Sequence, residues 1–71
     1  MDKETANLIL EIATNYKHMV KYDKVPFQTM IQYKGTLEEF KSLAFTTHED
    51  ILYKKLNDII EIIREKLREM I

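Results

Sequence analysis

Apolar residues recur at steps of three and four positions along most of this 71-residue chain. In the first segment this spacing is typical of one face of an α-helix and links Ile9, Ile12, Ala13, Tyr16, Met19 and Val20. The segment predicts a helix over residues 3–22. We expect it to end before Pro26, because the residue that precedes a proline is disfavoured in the α conformation.

The only glycine of the chain, Gly35, lies in the middle of the next apolar segment. Glycine adopts the left-handed conformation that closes many helices. Thr36 follows at once and Glu39 lies three residues further on, which is the spacing of a capping box at a helix start. Together these signals predict two short helices within residues 26–45, with the boundary at Gly35.

The stretch FTTHED repeats the helix-start spacing, with Thr46 three residues before Glu49 and Thr47 three before Asp50. A last helix is therefore predicted over residues 48–71. Its main apolar stripe contains Leu52, Leu56, Ile59, Ile63, Leu67 and Met70. On its polar side, Glu61 with Arg64 and Glu65 with Arg68 are spaced to form ion pairs.

Ile51 and Ile62 fall outside that main stripe. Either the buried sector of the last helix is wide, or the helix is covered from a second direction. A helix of about 24 residues is roughly 36 Å long, whereas a compact globule of this size has a diameter of about 29 Å. The apolar overhang is then covered either by another chain or by the first helix, lying antiparallel to the last.

These patterns predict an all-α fold, a small helical bundle in which two long helices, the first and the last, enclose two short ones. One glycine and one proline leave few places for turns. We expect residues 1–71 to form a single helical domain. A core of this size gives only about 3–5 kcal/mol of stability unless disulfides, a bound metal or oligomerisation add to it.

Composition and charge narrow the function classes. The chain has no cysteine, so disulfides and thiolate metal sites are excluded. Acidic and polar residues interrupt the first apolar run, and no stretch approaches the roughly 20 apolar residues of a membrane span. We therefore expect a soluble, cytoplasmic protein that does not bind membranes.

The sequence offers no convergent set of catalytic groups. Its two histidines, His18 and His48, are separate, and there is no glycine-rich phosphate loop. His48, Glu49 and Asp50 are neighbours on a predicted helix, where successive side chains point about 100 degrees apart and cannot converge on one metal ion. We expect a protein that is not an enzyme and that uses no cofactor and no metal.

The long last helix, with its surplus apolar surface, indicates a protein that works by binding another protein, as an inhibitor, adaptor or regulator. Its partner would be a different protein or a second copy in a homodimer. The predicted interface consists of Leu56, Ile59, Ile62, Ile63, Leu67 and Met70.

The alternative is nucleic-acid binding through the basic and aromatic segment 16–34. Four lysines and one acid lie in residues 17–34, whereas residues 35–50 contain four acids and one lysine. The candidate nucleic-acid contacts are Lys17, Lys21, Lys24 and Lys34, interleaved with aromatic rings that could stack on bases. The same rings fall at helical spacing with Met19 and Met30, so we expect most of them to lie in the core.

Overall fold

The first helix forms where its caps and its apolar spacing predict it. A computed structural model describes all 71 residues, and α1 occupies Lys3–Tyr22, as predicted. The carboxylate of Asp2 caps it by accepting a hydrogen bond from the backbone N–H of Thr5 at 2.7 Å. This hydrogen bond lowers the pKa of Asp2, because it favours the ionised carboxylate. Pro26 is the N-cap of the next helix, which starts at Phe27.

The predicted pair of short helices is wrong, because α2 runs without a break over Phe27–Thr46. Gly35 lies inside this helix and has no positive φ, so it does not form a C-cap. Thr36 and Glu39 are also interior residues of α2 and form no capping box. The protein therefore has three helices, not four.

The break that does exist lies at His48, which has a φ of 58°. The N–H of Glu49 donates to the carbonyl of Ala44 at 2.9 Å, and the N–H of His48 donates to the carbonyl of Phe45 at 3.2 Å. These two bonds form the Schellman arrangement that ends many helices. A histidine thus takes the left-handed position in which glycine is most common.

The threonines before this break do not cap the last helix, contrary to the prediction. Thr46 and Thr47 donate their hydroxyl hydrogens back to the carbonyl of Leu43, at 3.0 and 2.9 Å. Their side chains therefore satisfy the end of α2 rather than the start of α3. The helix α3 occupies Asp50–Glu69, with Glu49 as its N-cap and no side-chain cap bond.

Since the chain has three helices, α1 and α3 run in the same direction. The amino terminus of Met1 lies 3.9 Å from the carboxylate of Glu49, which places the two helix starts side by side. The alternative in which the first helix lies antiparallel to the last is therefore wrong. It is α2 that runs antiparallel to α3: the amino group of Lys41 donates to the side-chain oxygen of Asn57 at 3.3 Å.

The bundle is a rod of 36 × 17 × 16 Å, which removes most of the expected overhang. All three helices have 20 residues, so each is about 30 Å long and α3 ends level with its neighbours. The expectation assumed a sphere, whereas equal helices side by side make an elongated bundle. What remains of the overhang is the carboxyl end of the chain, where Met70 and Ile71 stay exposed.

The core lies along the axis of the rod, between all three helices. On α2 its buried members recur at seven-residue intervals, at Met30, Leu37 and Ala44. This heptad spacing keeps one seam of a helix facing its partners, as in coiled coils. The eleven buried residues are Ile9, Ala13, Val20, Met30, Leu37, Ala44, Leu52, Leu56, Ile59, Ile60 and Ile63.

Candidate functional site

Half of the interface predicted from the sequence belongs to the core. Leu56 and Ile63 have no exposed surface and Ile59 keeps 6%. These three side chains are covered by α1 and α2 within one chain, so they cannot anchor a partner while the protein is folded. The main stripe of α3 therefore lies in the core of the bundle.

The other three predicted residues differ in their surroundings. Leu67 is partly buried against the core, and Met70 is 45% exposed in the last turn. Ile62 is half-buried on a different side of α3, the side that faces the surface between α1 and α3. Of these three residues, Ile62 is therefore the one that points into a concave surface.

That concave surface is a groove formed by the parallel helices α1 and α3, and we call it the α1/α3 groove. It consists of two adjoining depressions of about 310 and 180 Å³, which share Leu10 and Lys55 in their walls. The larger depression is lined by Leu10, Thr14, Lys17, Lys55, Asp58, Ile59 and Ile62. The smaller one is lined by Ala6, Asn7, Leu10, Glu49, Ile51, Leu52 and Lys55.

Apolar side chains mark both ends of the α3 wall. Ile51 is 75% exposed near the start of the helix, and Ile62 lies about three turns later. Leu10, which is partly buried against the core, forms the floor between them. Such a strip continues the hydrophobic interior outward through the gap between two helices, so a third helix laid along it would bury more apolar surface.

The charged groups of the larger depression have no ion-pair partner within the chain. Neither Lys17, Lys55 nor Asp58 takes part in a salt bridge. Elsewhere on α3 the predicted pairs do form, Arg64 with Glu61 at 2.6 Å and Arg68 with Glu65 at 2.5 Å. The groove thus presents free charges of both signs beside its apolar strip.

The four lysines of the nucleic-acid alternative do not share one surface. Lys17 faces the α1/α3 groove. Lys34 lies on α2 and pairs with Glu38 at 2.6 Å, on the side where Glu38 is influenced by Arg64 of α3. The hydrogen bond from Lys34 lowers the pKa of Glu38 despite partial desolvation. Since α3 lies between these two lysines, the basic segment does not form one continuous patch.

Of the remaining lysines, Lys21 follows Lys17 by one turn on the same side of α1, whereas two of the aromatic rings pack between α1 and α2. Lys21 is exposed near the end of α1 and Lys24 lies in the turn that follows. Tyr16 and Tyr33 stack on each other with ring centroids 4.0 Å apart, and the Tyr33 hydroxyl donates to the sulfur of Met19 at 3.2 Å. These two rings pack α1 against α2, whereas Tyr22 and Phe27 of the same segment are 75% and 39% exposed.

The structure also bears on a metal site and on a membrane-spanning helix. Nowhere do three His, Cys, Asp or Glu side chains come close enough to hold a metal ion. None of the three helices combines the length and the apolar character needed to cross a membrane.

Sequence reasoning missed most of the groove because its other wall belongs to α1. Leu10 and Thr14 of α1 gave no sign of function in isolation. On α3 the sequence did indicate a second apolar face, since Ile51 and Ile62 fall outside the main stripe. What the sequence alone did not supply was the parallel orientation of α1, which turns those two isoleucines into one wall of a groove.

The chain matches no protein-family model, and no curated protein or solved structure is significantly similar to it.

Proposed function

We propose that this protein is a protein-binding module, of the inhibitor, adaptor or regulator kind, and that its binding surface is the α1/α3 groove. The observation that supports this most is the exposure of Ile51 beside Ile62 and Leu10 in a groove between two helices. A helical surface of the partner would pack against the groove, cover the apolar side chains of α1 and α3, and meet the free charges at its rim.

The proposal accounts for the placement of the charges. Exposed acids and bases three or four positions apart can pair on their own helix, as Glu61 does with Arg64. Lys55 and Asp58 are three apart on α3, but no salt bridge joins them. A partner that offers opposite charges at both positions would gain orientation from them more than affinity.

Photo-crosslinking tests the proposal directly. Ile62 is replaced by the photoreactive p-benzoylphenylalanine in the full chain, and the tagged protein is irradiated in a lysate of cells that encode it. Ile31, which is 47% exposed on α2 and lies outside the groove, receives the same replacement as the matched control. We expect a discrete protein adduct from position 62 only.

Competition makes this result specific. An excess of unmodified wild-type chain should suppress the adduct, whereas an excess of the Ile62→Glu chain should not, because a carboxylate in the groove opposes burial of an apolar helix. Circular dichroism must show that Ile62→Glu keeps its helical content. The absence of any adduct at position 62, or equal adducts at 62 and 31, would show that the groove is not the binding surface.

A further inference from the structure

The apolar and charged residues on the α3 wall of the groove are arranged so that two antiparallel copies of α3 would be complementary. Its groove-facing residues, Ile51, Lys55, Asp58 and Ile62, follow one another at steps of four, three and four. These are the steps of a heptad seam. If a second α3 lies antiparallel to the first, with the midpoint between Lys55 and Asp58 at the crossing, then each isoleucine meets the other isoleucine and each lysine meets an aspartate.

From this register we infer that the occupant of the α1/α3 groove is a second copy of the same chain, packed face to face with α3 antiparallel to α3. The inference rests on the proposed function and names its partner. Ile51 of each copy contacts Ile62 of the second copy, and Lys55 of each copy pairs with Asp58 of the second copy. A twofold axis makes every contact occur twice.

The alternative twofold arrangement lacks this match. An axis parallel to the helices would place α3 of one copy over α1 of the other, with both running in the same direction. Leu10 lies level with Lys55, since both line the same two depressions. That arrangement would set Lys55 against Leu10 of the second copy, and a buried charge without a partner is costly. The antiparallel arrangement leaves only Lys17 of the larger depression without an opposite charge, whereas the parallel one leaves Lys17, Lys55 and Asp58 without one. The charges therefore favour the antiparallel arrangement.

The available area is sufficient for a reversible dimer. The long edge of the bundle and one short edge, 36 and 17 Å, define a projected face of about 600 Å² per subunit. Two fully covered faces of this size would bury about 1,200 Å² in total, at the lower end of stable interfaces. Interfaces at this end of the range are typical of reversible rather than obligate association.

Charge reversal tests both the association and its orientation. The wild-type chain is studied by sedimentation equilibrium from micromolar to near-millimolar concentration, and we expect a monomer–dimer equilibrium. Lys55→Asp places two acids opposite each other, and Asp58→Lys places two bases opposite each other. Each variant alone should raise the dissociation constant more than tenfold.

An equal mixture of the two variants should associate again. In the mixed dimer, one chain has acids at both positions 55 and 58 and the other has bases at both, so both contacts become attractive. The matched control is Lys54→Asp, which makes the same change of charge one position earlier, about 100 degrees around the helix. It should leave the dissociation constant nearly unchanged. Circular dichroism checks that all variants remain folded, as expected at positions outside the core.

Each outcome decides the inference. A wild-type chain that stays monomeric at near-millimolar concentration overturns it. A dimer whose dissociation constant is unchanged by both charge reversals also overturns it. If the single variants dissociate and their mixture does not recover, the antiparallel register is wrong. A monomeric wild type that still gives a specific adduct with a different protein from position 62 removes only the second copy as partner. A monomer without any such adduct removes the proposed function as well.

Discussion

Replacing Gly35 by alanine should make the protein more stable. Gly35 lies in the interior of α2 without a positive φ, and a Cβ built there meets nothing within 4 Å. Alanine is more favourable than glycine in a helix interior by about 0.8–1 kcal/mol, and no clash opposes that gain here. The added methyl also restricts the unfolded chain.

The expected gain is large relative to the total free energy of unfolding of such a domain. For a domain of this size, a change of about 1 kcal/mol shifts the melting temperature by roughly 4–8 °C, and the core supplies only about 3–5 kcal/mol in total. Thermal and urea unfolding followed by far-ultraviolet circular dichroism would measure the change. Gly35→Ala should raise the melting temperature and the urea midpoint without changing the slope of the urea transition.

The result that refutes this reasoning is a loss of stability. If Gly35 closed a short helix in the left-handed conformation, alanine would be strained there and the protein would unfold at lower temperature. A chain made by chemical synthesis with D-alanine at position 35 gives the opposite test. It should be destabilised in a continuous right-handed helix and tolerated at a left-handed cap.

The other predictions concern the second break, an ion pair and the core. His48→Gly should stabilise the protein by about 1 kcal/mol in urea unfolding, because His48 has a φ of 58°; no gain would mean that the side chain offsets its strain. Since Lys34 lowers the pKa of Glu38 in the folded state, the stabilisation is complete above the ordinary pKa of 4.5 and is lost as the pH falls through the lower folded value. Lys34→Gln should raise the Glu38 midpoint in an NMR titration and remove a few tenths of a kcal/mol; an unchanged midpoint would contradict the assignment. Leu56→Ala should cost about 2–5 kcal/mol and abolish cooperative melting, whereas Ile62→Ala should cost about 1 kcal/mol or less; equal losses would show that the two sites are not core and groove.

The sequence was sufficient to predict elements whose local and tertiary signals agree. The bounds of α1 follow from its apolar spacing and from Pro26, and the structure has the same bounds. The ion pair of Glu61 with Arg64 follows from spacing alone and is present. In these cases neighbouring residues suffice to determine the outcome, so no knowledge of the packing is needed.

The error in α2 arose where the local and tertiary signals conflict. Gly35 and Thr36 carry the residue types of a helix end and a helix start, and each weighs about 1 kcal/mol. Against them stands the seven-residue spacing of Met30, Leu37 and Ala44, all buried in one seam. Burial of a single large apolar side chain is worth about 1.5–3 kcal/mol, so the seam outweighs the cap signals. That spacing crosses Gly35 and could have revealed the continuous helix.

The interface could be predicted only in part, for a related reason. Apolar residues at helical spacing show that a face is covered, but they do not show whether the cover is the same chain or another. Leu56 and Ile63 are covered by α1 and α2. Ile51 and Ile62 lie on a second face, and their role depends on where α1 lies and in which direction it runs.

Because the protein is small, binding at the α1/α3 groove would add a large share to its stability. A ligand that binds only the folded chain stabilises it by about 2.7 kcal/mol at a hundredfold excess over its dissociation constant, which is comparable with the whole stability of such a core. If the α1/α3 groove binds a second copy, the melting temperature of the wild type should therefore rise with protein concentration. Lys55→Asp should remove that dependence while leaving the melting temperature of the dilute chain nearly unchanged, because Lys55 has no ion-pair partner within its own chain. A wild-type melting temperature that is constant from micromolar to near-millimolar concentration would mean that the core alone stabilises the fold, and that folding of this protein does not depend on its groove.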